Sequence, residues 1–526
     1  MRQQPNPEDL MAAAYSIEAT PCDPFSPARR QAEATETYLR SEGAMQASHA
    51  DLEAALERDG REWMRRMMQA HLEIRAAAER PVEVKGADGI ERSQKRRDTS
   101  RPLGMLFGSV QVIRLAYQRP GVEGLHPMDA SLRLPDELYS YGVRRLIAER
   151  VALDSYEDVV ELMAARTGAA VGKRQVEELA VRAAVDFEAF YATRTVKAEA
   201  TPDLLLLSFD GAGIIVRPED LRPATKKAAA KKTRKLGTRL AKGEKRNHKR
   251  MAEVAAIYTV APFPRTVMDV VHDLRPVQDV EKKRPKPENK RVWASVELTA
   301  EQVIAQTFEE ALRRDPERKR RWVVLVDGNK DQLAAIRKAA RRFGVQITVV
   351  LDLMHVLEYL WKAAHCFHAD GTKEAEAWVE QRLIGLLQGQ TAGYLAKGMR
   401  RNAEARGLSA KDRKAVDECA RYLVNNSKLL HYDRALRDGL PIATGVIEGA
   451  CRYLVRDRMD RTGARWSLAG AEAVLRLRAL VTNGDFDDYW AFHLAREYER
   501  NHAARYADGC VPCPLPATQR KLRRVK

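Results

Sequence analysis

The sequence is poor in cysteine, and the cysteines that it has are widely spaced. Six occur among the 526 residues, at positions 22, 366, 419, 451, 510 and 513. This distribution offers no disulfide framework, so we expect reduced thiols. The close pair Cys510 and Cys513 has no second pair of cysteines or histidines nearby, which a zinc ribbon would need. We interpret this segment as a tail without metal, with a zinc site as the alternative.

Long apolar stretches are also missing. We find no apolar run of about 18 residues, the length that a membrane-spanning helix requires. The first ten residues, Met1 to Leu10, lack the character of a signal peptide. Both absences argue against a membrane partner, and we expect a cytoplasmic protein.

Positive charge is abundant by contrast. Lys and Arg total 90 against 73 Asp and Glu, which gives a net charge of +17. Such a balance points to a polyanionic partner, and nucleic acid is the first candidate once a membrane is set aside. A chain of 526 residues is also too long for a single compact core, and its length predicts about three or four domains.

The N-terminal part reads as helical and then as a small sheet. Residues 1 to about 30 are Pro-rich and aperiodic, which predicts a loose arm, whereas Thr35 to Arg80 has helical periodicity. Residues 101–118 alternate apolar and polar side chains around Gly108, the pattern of a hairpin. We assign residues 1–100 to the arm and helical region, and residues 101–200 to a DNA-binding region.

Two short helices follow the hairpin and are separated by a short turn. The first is predicted over residues 155–168 and the second from Gly172 onwards. This spacing fits a helix-turn-helix, in which Lys173, Arg174 and Gln175 begin the recognition helix and contact double-stranded DNA. A purely structural helical hairpin is the alternative.

The centre of the chain, residues 201–369, is rich in predicted strands. Strands are predicted over residues 203–216, 252–260, 266–271, 322–326 and 345–351, with helices over residues 299–314 and 331–343. Three strands followed by helix, strand, helix and strand is the order of the ribonuclease H-like fold, in which the first and fourth strands are neighbours. We therefore expect a multidomain α/β protein with a ribonuclease H-like mixed sheet.

A basic arm interrupts this region within a loop at residues 222–250. Residues 226–250 hold twelve Lys or Arg and one acidic residue, Glu244. Such a run cannot bury a core and should bind DNA phosphates. The candidate contacts are Lys231, Lys232, Arg234, Lys235, Lys245, Arg246, Lys249 and Arg250. A solvated loop or a localisation signal is the alternative.

The C-terminal part is predicted to be helical throughout. Residues 370–440 form an all-α insertion, residues 441–500 a helical region that carries Glu448, and residues 501–526 a basic tail. Five arginines after Glu448 are candidate contacts to the DNA backbone: Arg452, Arg456, Arg458, Arg461 and Arg465. Trp466 could stack on an extruded base, with a place in the helix core as the alternative.

Three acidic residues have the setting of metal ligands. Asp210 and Asp327 each follow an apolar run and precede a Gly, so we expect each to end a buried strand and enter a tight turn. Glu448 lies in the segment from Gly445 to Gly449. Carboxylates fixed in this way form the anionic oxygen site that Mg²⁺, or Mn²⁺, takes. Glu472 could be confused with the third acid, but its surroundings predict packing.

These motifs resemble the DDE transposases of bacterial insertion sequences. The likeness is to the ISKra type, which is related to Mutator-like transposases, and it covers roughly residues 100–495. It rests on Phe209-Asp210-Gly211, Val326-Asp327-Gly328, the Asp352-x-x-His355 pair and the segment around Glu448. The pair is similar to the Cys/Asp-x-x-His signature of Mutator-like transposases, which makes Asp327 the second acid and leaves Asp352 at the rim with His355 as an auxiliary residue.

The resemblance implies a polynucleotidyl transferase that cuts and joins DNA at the ends of an element. Two divalent ions between Asp210, Asp327 and Glu448 would activate the attacking water or 3′-hydroxyl and stabilise the leaving oxygen. We expect a homodimer or higher oligomer on DNA, associated with the bacterial nucleoid. Two alternatives stay open: another metal-dependent nuclease on the same fold, and a non-catalytic, sequence-specific DNA-binding regulator. Asp352 also stays open as a replacement for Asp327.

Overall fold

The computed structural model describes residues 23–195, 198–199, 201–231, 236, 238, 248–274, 284–443, 445–461 and 463–516. The chain divides into two compact units. The described residues of the first unit are 23–150, 156–179 and 490–516, and those of the second lie within 151–155 and 180–489. Both units mix helices with a β-sheet.

The first unit opens with helices and continues into a three-stranded sheet. Its elements are α1 (Ser26–Leu39), α2 (Glu42–Gln46), α3 (His49–Ala78), β1 (Gln94–Met105), β2 (Gly108–Arg119), β3 (Val122–Leu125), α4 (Pro127–Ser131), α5 (Tyr141–Val151), α6 (Tyr156–Arg166) and α7 (Lys173–Ala183). The predicted helical stretch and hairpin are both confirmed. Residues 1–22 of the predicted loose arm lie outside the described residues. Its last residues, from Ser26, belong to helix α1.

The sheet of the first unit is antiparallel, in the order β1-β2-β3. The β1–β2 turn needs Gly108, whose φ is +127°. A side chain there would also meet Arg65 of α3, whose Cδ lies 2.8 Å from the Cβ position. Leu72 of α3 packs with Leu103 and Val112 of the hairpin, so one apolar cluster joins the long helix to the sheet.

The second unit is built on a five-stranded mixed sheet. Its elements up to the last strand are α8 (Phe187–Thr193), β4 (Leu204–Ile215), α9 (Pro223–Ala230), β5 (Lys249–Val260), α10 (Val267–Asp273), β6 (Glu288–Ser295), α11 (Ala300–Arg314), β7 (Trp322–Val326), α12 (Lys330–Phe343) and β8 (Ile347–Leu351). The strand order is β6-β5-β4-β7-β8. Strands β4, β5 and β6 are antiparallel, while β7 and β8 run parallel to β4.

One predicted strand is wrong. Residues 266–271 lie at the start of helix α10, because Thr266 and Asp269 form a reciprocal capping box: each side chain accepts from the other residue's backbone N–H. The β-branched residues Val270 and Val271 favour a strand, but the capping box stabilises a helix at this position. The third strand is instead β6, which the sequence analysis did not predict.

Helices complete the second unit after the sheet. They are α13 (Leu353–Ala364), α14 (Lys373–Leu387), α15 (Ala392–Ala405), α16 (Lys414–Asn425), α17 (Tyr432–Arg437), α18 (Gly445–Ala450), α19 (Asp457–Met459), α20 (Leu468–Asn483) and α21 (Phe486–Asn501), which continues into the first unit. Between α18 and α19, residues Cys451–Arg456 form a π-helix. We call residues 370–440 the helical insertion, and its described elements are helical as predicted.

Within the described residues, no helix combines the length and the apolar character needed to cross a lipid bilayer.

Candidate active site

Asp210 lies in the interior of β4 and not at its end. It pairs with Val254 of β5, and the strand continues to Ile215. The prediction that Gly211 ends the strand and turns Asp210 into a loop is therefore wrong. Gly211 instead allows a close approach within the sheet, since a Cβ there would lie 2.8 Å from Cε of Met251. The long antiparallel pairing with β5 keeps this segment in a strand, although its two glycines favour a turn.

The position of Asp210 along the sheet is nevertheless informative. Parallel pairing between β4 and β7 runs up to the pair Ser208 and Leu325. Asp210 and Asp327 are each two residues beyond that pair, so the register places them side by side where β7 ends. Both residues are half-buried. Two carboxylates thus lie next to each other at the end of β7, as expected from the sequence, although only Asp327 follows the end of its own strand.

Asp327 does sit in a turn. Its Oδ1 atom accepts a hydrogen bond of 2.8 Å from the backbone N–H of Asn329, the residue that caps helix α12. Gly328 has φ of +92°, a backbone conformation that favours glycine. The turn after Asp327 therefore has the geometry that the Asp-Gly pair predicts.

Glu448 is carried by α18, which packs on β4 and β5. The residue as a whole is exposed. Partial desolvation of its carboxyl group, followed by the negative charges of Asp352 and Asp210, raises the pKa of Glu448, and His355 opposes the rise. The third acid is thus close enough to Asp210 to repel it electrostatically.

A fourth carboxylate belongs to this neighbourhood. Glu253 of β5 pairs with Gly211, and burial is the main cause of its raised pKa, which the charge of Asp210 raises further. Asp210, Asp327 and Glu253 line one open pocket of about 490 Å³, which we call the acidic pocket. Helices α11 and α12 supply its remaining wall through Thr299, Ala300, Glu301, Asn329, Asp331, Gln332 and Ala335. Its side-chain charges are all negative.

The carboxylates of the candidate triad have few neutralising partners in the described part of the chain. Among the described residues, no ion pair joins Asp210, Asp327 or Glu448 to a Lys or Arg. Asp210 instead accepts a hydrogen bond from its neighbour Gly211 N–H, at 2.7 Å, and one from the Cys451 thiol, at 3.2 Å. Anionic oxygens left without cationic partners have the donor chemistry that a hard divalent cation requires.

The carboxylates are suitable metal donors, but their spacing in the described structure is too wide for a formed metal site. In the part of the chain that the structure describes, no group of three or more His, Cys, Asp and Glu side chains is arranged to hold a metal ion. Asp210 and Asp327 share the acidic pocket, whereas Glu448 is related to Asp210 through charge. The arrangement therefore brings the predicted acids together without forming a closed coordination shell.

Asp352 lies at the edge of the sheet, as predicted, and is buried there. It follows the edge strand β8, is only 3 % exposed, and caps α13 by accepting a 2.8 Å hydrogen bond from the N–H of Met354. Its charge raises the pKa of Glu448 more than that of Asp210 does. His355, one turn into α13, is half-buried and also acts on Glu448. Asp352 thus keeps its candidacy as a second ligand.

The three residues predicted to read DNA bases are exposed at the start of α7. Each has an intramolecular partner: the Lys173 ammonium pairs with Glu157 of α6, and Arg174 Nε donates to Glu178 at 2.9 Å. Gln175 Oε1 accepts from Gly172 N–H at 2.9 Å and from the Tyr139 hydroxyl at 2.7 Å. The helical pair is confirmed, and its DNA contacts stay a prediction.

Five of the eight candidate contacts in the basic arm lie outside the described residues: Lys232, Arg234, Lys235, Lys245 and Arg246. Lys231 follows α9 and is exposed.

At the other end of the arm, two basic residues have partners in the second unit. Lys249 forms a 3.4 Å ion pair with Asp460, and Arg250 donates to the backbone oxygens of Val296 and Asp220 at 2.8 and 2.9 Å. Arg250 thus ties β5 to the segment at Asp220, which precedes the strand, and to the segment after β6 at Val296.

The arginines after Glu448 differ in their exposure. Arg452, Arg456, Arg461 and Arg465 are exposed, as a phosphate contact requires. Arg458, by contrast, is buried beside the ring of Trp466, at 4.8 Å from its centroid.

Two further residues have structural roles. Trp466 is 5 % exposed and donates from its indole N–H to the backbone oxygen of Met459, so it is a core residue and cannot stack on a base. Glu472 is buried and accepts hydrogen bonds from Ser295 and from the N–H groups of Val296 and Glu297, which confirms that it packs at the end of β6.

Sequence reasoning missed three residues at the site. Cys451 could have been found, because it lies three positions after Glu448 on the same helical turn. Glu253 could have been found only once the β4–β5 register was known. Tyr422, whose hydroxyl donates to the backbone oxygen of Asp327 at 2.8 Å, comes from the helical insertion, and no local pattern links it to the site.

Comparisons with known proteins give no family for this chain: no protein-family model matches it, and no curated protein is significantly similar to it.

Proposed function

We propose that this protein is a DNA transposase of the DDE type, which cleaves DNA at the ends of an insertion sequence and joins those ends to a target. The observation that carries the proposal is the register of β4 and β7, which places Asp210 and Asp327 side by side where β7 ends, with the helix of Glu448 packed on the same sheet. The strand order β6-β5-β4-β7-β8 makes the first and fourth strands of this sheet neighbours, and we propose a ribonuclease H-like fold on that basis.

The site's charge supports phosphoryl transfer. Asp210, Asp327 and Glu448 would hold Mg²⁺ or Mn²⁺, because they are anionic oxygen donors without basic partners among the described residues. Such ions, when bound, activate the attacking hydroxyl and stabilise the leaving 3′-oxygen. The carboxylates repel a DNA phosphate by themselves, so substrate binding depends on basic residues elsewhere in a chain whose net charge is +17.

The protein's own residues would divide the remaining tasks. The exposed arginines Arg452, Arg456, Arg461 and Arg465 follow the Glu448 helix and would hold the DNA backbone beside the cleavage site. Helix α7 would read bases with Lys173, Arg174 and Gln175, and the basic arm would add contacts to phosphates. The protein would act as a dimer or higher oligomer on DNA, at the bacterial nucleoid.

One observation favours the alternative of a non-catalytic DNA-binding regulator. The described residues do not include a group of three side chains arranged to hold a metal. A regulator would bind DNA through the same basic residues and would not need the carboxylates to converge. The carboxylates around Glu448 argue against this reading: burial and then the charges of Asp352 and Asp210 raise its pKa, and perturbed carboxyl groups are typical of catalytic sites.

A single assay separates the candidates. The protein is incubated with labelled DNA from both sides of its own coding region, a target plasmid, and Mg²⁺ or Mn²⁺. Joining of labelled ends to the plasmid supports a transposase, cleavage without joining supports a nuclease, and binding without either supports a regulator. Cleavage or joining that still occurs in the presence of EDTA would contradict a metal-dependent mechanism.

A further inference from the structure

Two tyrosines of the helical insertion reach the strand ends that carry the candidate second ligands. The Tyr422 hydroxyl, on α16, donates to the backbone oxygen of Asp327 at 2.8 Å. The Tyr432 hydroxyl, on α17, donates to the backbone oxygen of Leu351 at 3.0 Å, directly before Asp352. The insertion therefore touches the ends of both β7 and β8 through matched contacts.

Tyr422 is held firmly in its place. Its ring stacks on that of Tyr359 from α13, with centroids 4.1 Å apart and planes at 15°. The hydrogen bond and the ring stacking together hold the Tyr422 hydroxyl in one position, so the hydroxyl holds the backbone of Asp327 in place.

Asn426, the residue that follows α16, packs against the turn after Asp327. Asn426 is 8 % exposed, and its side-chain amide donates to the backbone oxygen of Tyr422 at 3.0 Å. Its Nδ2 atom would lie 3.0 Å from a Cβ at Gly328, so the Gly328 backbone packs directly against this amide. The backbone after Asp327 is thus held at two points: the Asp327 carbonyl accepts a hydrogen bond from Tyr422, and Gly328 packs against the Asn426 amide.

We propose that Tyr422 is a positioning residue for Asp327, through which the helical insertion sets the metal affinity of the active site. The inference rests on the proposed function, since it takes Asp327 as a metal ligand. The hydroxyl fixes the Asp327 peptide, and the peptide fixes the direction of the carboxylate. A ligand held in one direction binds a cation more tightly than one that must first be ordered.

The matched pair of tyrosines provides the test. Tyr422→Phe and Tyr432→Phe each remove one hydroxyl that donates to a strand-end carbonyl, and both keep the ring. Binding of Mn²⁺ to the full-length protein is measured by calorimetry or electron paramagnetic resonance, together with metal titrations of DNA cleavage. Circular dichroism and thermal unfolding report whether each variant is folded.

We expect Tyr422→Phe to weaken Mn²⁺ binding by about three- to tenfold, the effect that losing one hydrogen bond supports. Cleavage should then recover at high metal concentration. Tyr432→Phe should bind Mn²⁺ as the wild type does, even if its melting temperature falls. Equal Mn²⁺ affinity in Tyr422→Phe and wild type would overturn the inference, and weakened binding in Tyr432→Phe alone would transfer the role to Tyr432 and Asp352.

The outcomes also distinguish this inference from the proposed function. If the wild type binds Mn²⁺ and cleaves DNA while Tyr422→Phe is unchanged, only the positioning role fails. If the wild type neither binds Mn²⁺ nor cleaves DNA, the proposed function fails, and the inference that rests on it is overturned as well.

Discussion

The thiol of Cys451 donates a hydrogen bond to Oδ2 of Asp210 at 3.2 Å. Cys451 is the first residue of the π-helix that follows Glu448, so a single helical segment carries the third acid and touches the first one. Burial, together with the charge of Asp210, raises the pKa of this thiol, which therefore stays protonated and remains a donor. π-helical turns are rare and are frequently found at functional sites.

The first prediction follows from this contact. Cys451→Ala should lower the rate of DNA cleavage by about three- to tenfold, because it removes a donor worth about 1 kcal/mol from Asp210. Cys451→Ser keeps a hydroxyl donor and should stay within about twofold of the wild type on the same grounds. Single-turnover cleavage rates at saturating metal provide the measurement. Equal rates in the Ala variant and the wild type would show that the thiol only fills space.

The second prediction concerns the acidic residues. Asp210→Asn, Asp327→Asn and Glu448→Gln should each abolish cleavage by orders of magnitude while DNA binding stays nearly intact, because they remove metal ligands and no phosphate donors. Asp352→Asn is the matched control at the neighbouring strand end, and it should keep metal-dependent cleavage. Activity in Asp327→Asn together with loss in Asp352→Asn would move the second ligand to Asp352.

The third prediction concerns stability and pH. Since the folded protein raises the pKa of Glu448, its charged form is disfavoured on folding. The penalty is absent well below the ordinary Glu pKa of about 4.3 and develops as pH rises from there through the folded pKa. In EDTA, Glu448→Gln should therefore be more stable than the wild type at pH 7.5, by less than about 1 kcal/mol because the residue is exposed, and the gain should vanish near pH 3.5.

Urea unfolding at both pH values measures this difference. Glu472→Gln provides the control, because its buried carboxylate accepts three hydrogen bonds and its loss should destabilise the protein at pH 7.5. A stability gain for Glu448→Gln that is equal at both pH values would contradict the electrostatic explanation.

The fourth prediction concerns base reading by helix α7. Replacing Lys173, Arg174 and Gln175 with Ala should cost about 1 to 3 kcal/mol for each lost base contact and relax sequence preference. Gln175 also accepts from the Tyr139 hydroxyl, so Tyr139→Phe removes the same internal hydrogen bond and keeps the amide. Competition binding with matched and scrambled DNA should show relaxed preference in the Gln175→Ala variant and normal preference in Tyr139→Phe. Equal effects of both changes would make Gln175 a structural residue.

The sequence predicted those parts of the fold that short-range patterns determine. Apolar runs located β4, β7 and β8, and periodicity with caps located α11 and α12, since Thr299 and Asn329 both cap their helices. The strand predicted over residues 266–271 was wrong because a Thr-x-x-Asp capping box outweighed a β-branched run. Strand β6 was missed because its first half, Glu288 to Arg291, is polar and exposed or half-exposed.

The site was predictable in part for the same reason. Asp210 and Asp327 follow apolar strand residues, so their approach needed only the assumption that β4 and β7 are neighbours. Glu253 pairs with Gly211, 42 residues away, while the hydrogen bonds of Cys451 and Tyr422 span 241 and 95 residues of sequence, and local patterns do not encode such contacts. Asp210 was expected at a strand end because Gly211 was taken as a turn residue, whereas long pairing with β5 keeps it inside the strand.

The central claim is that Asp210, Asp327 and Glu448 catalyse movement of a DNA element. It is tested most directly in cells, with a resistance marker placed between the DNA segments that flank the coding region and the protein supplied from a second plasmid. We predict that the marker moves to new sites when the wild type is supplied, and that movement falls to background with Asp210→Asn at equal protein levels. Movement of the marker at the same frequency with Asp210→Asn, or none above background with the wild type, would contradict the account.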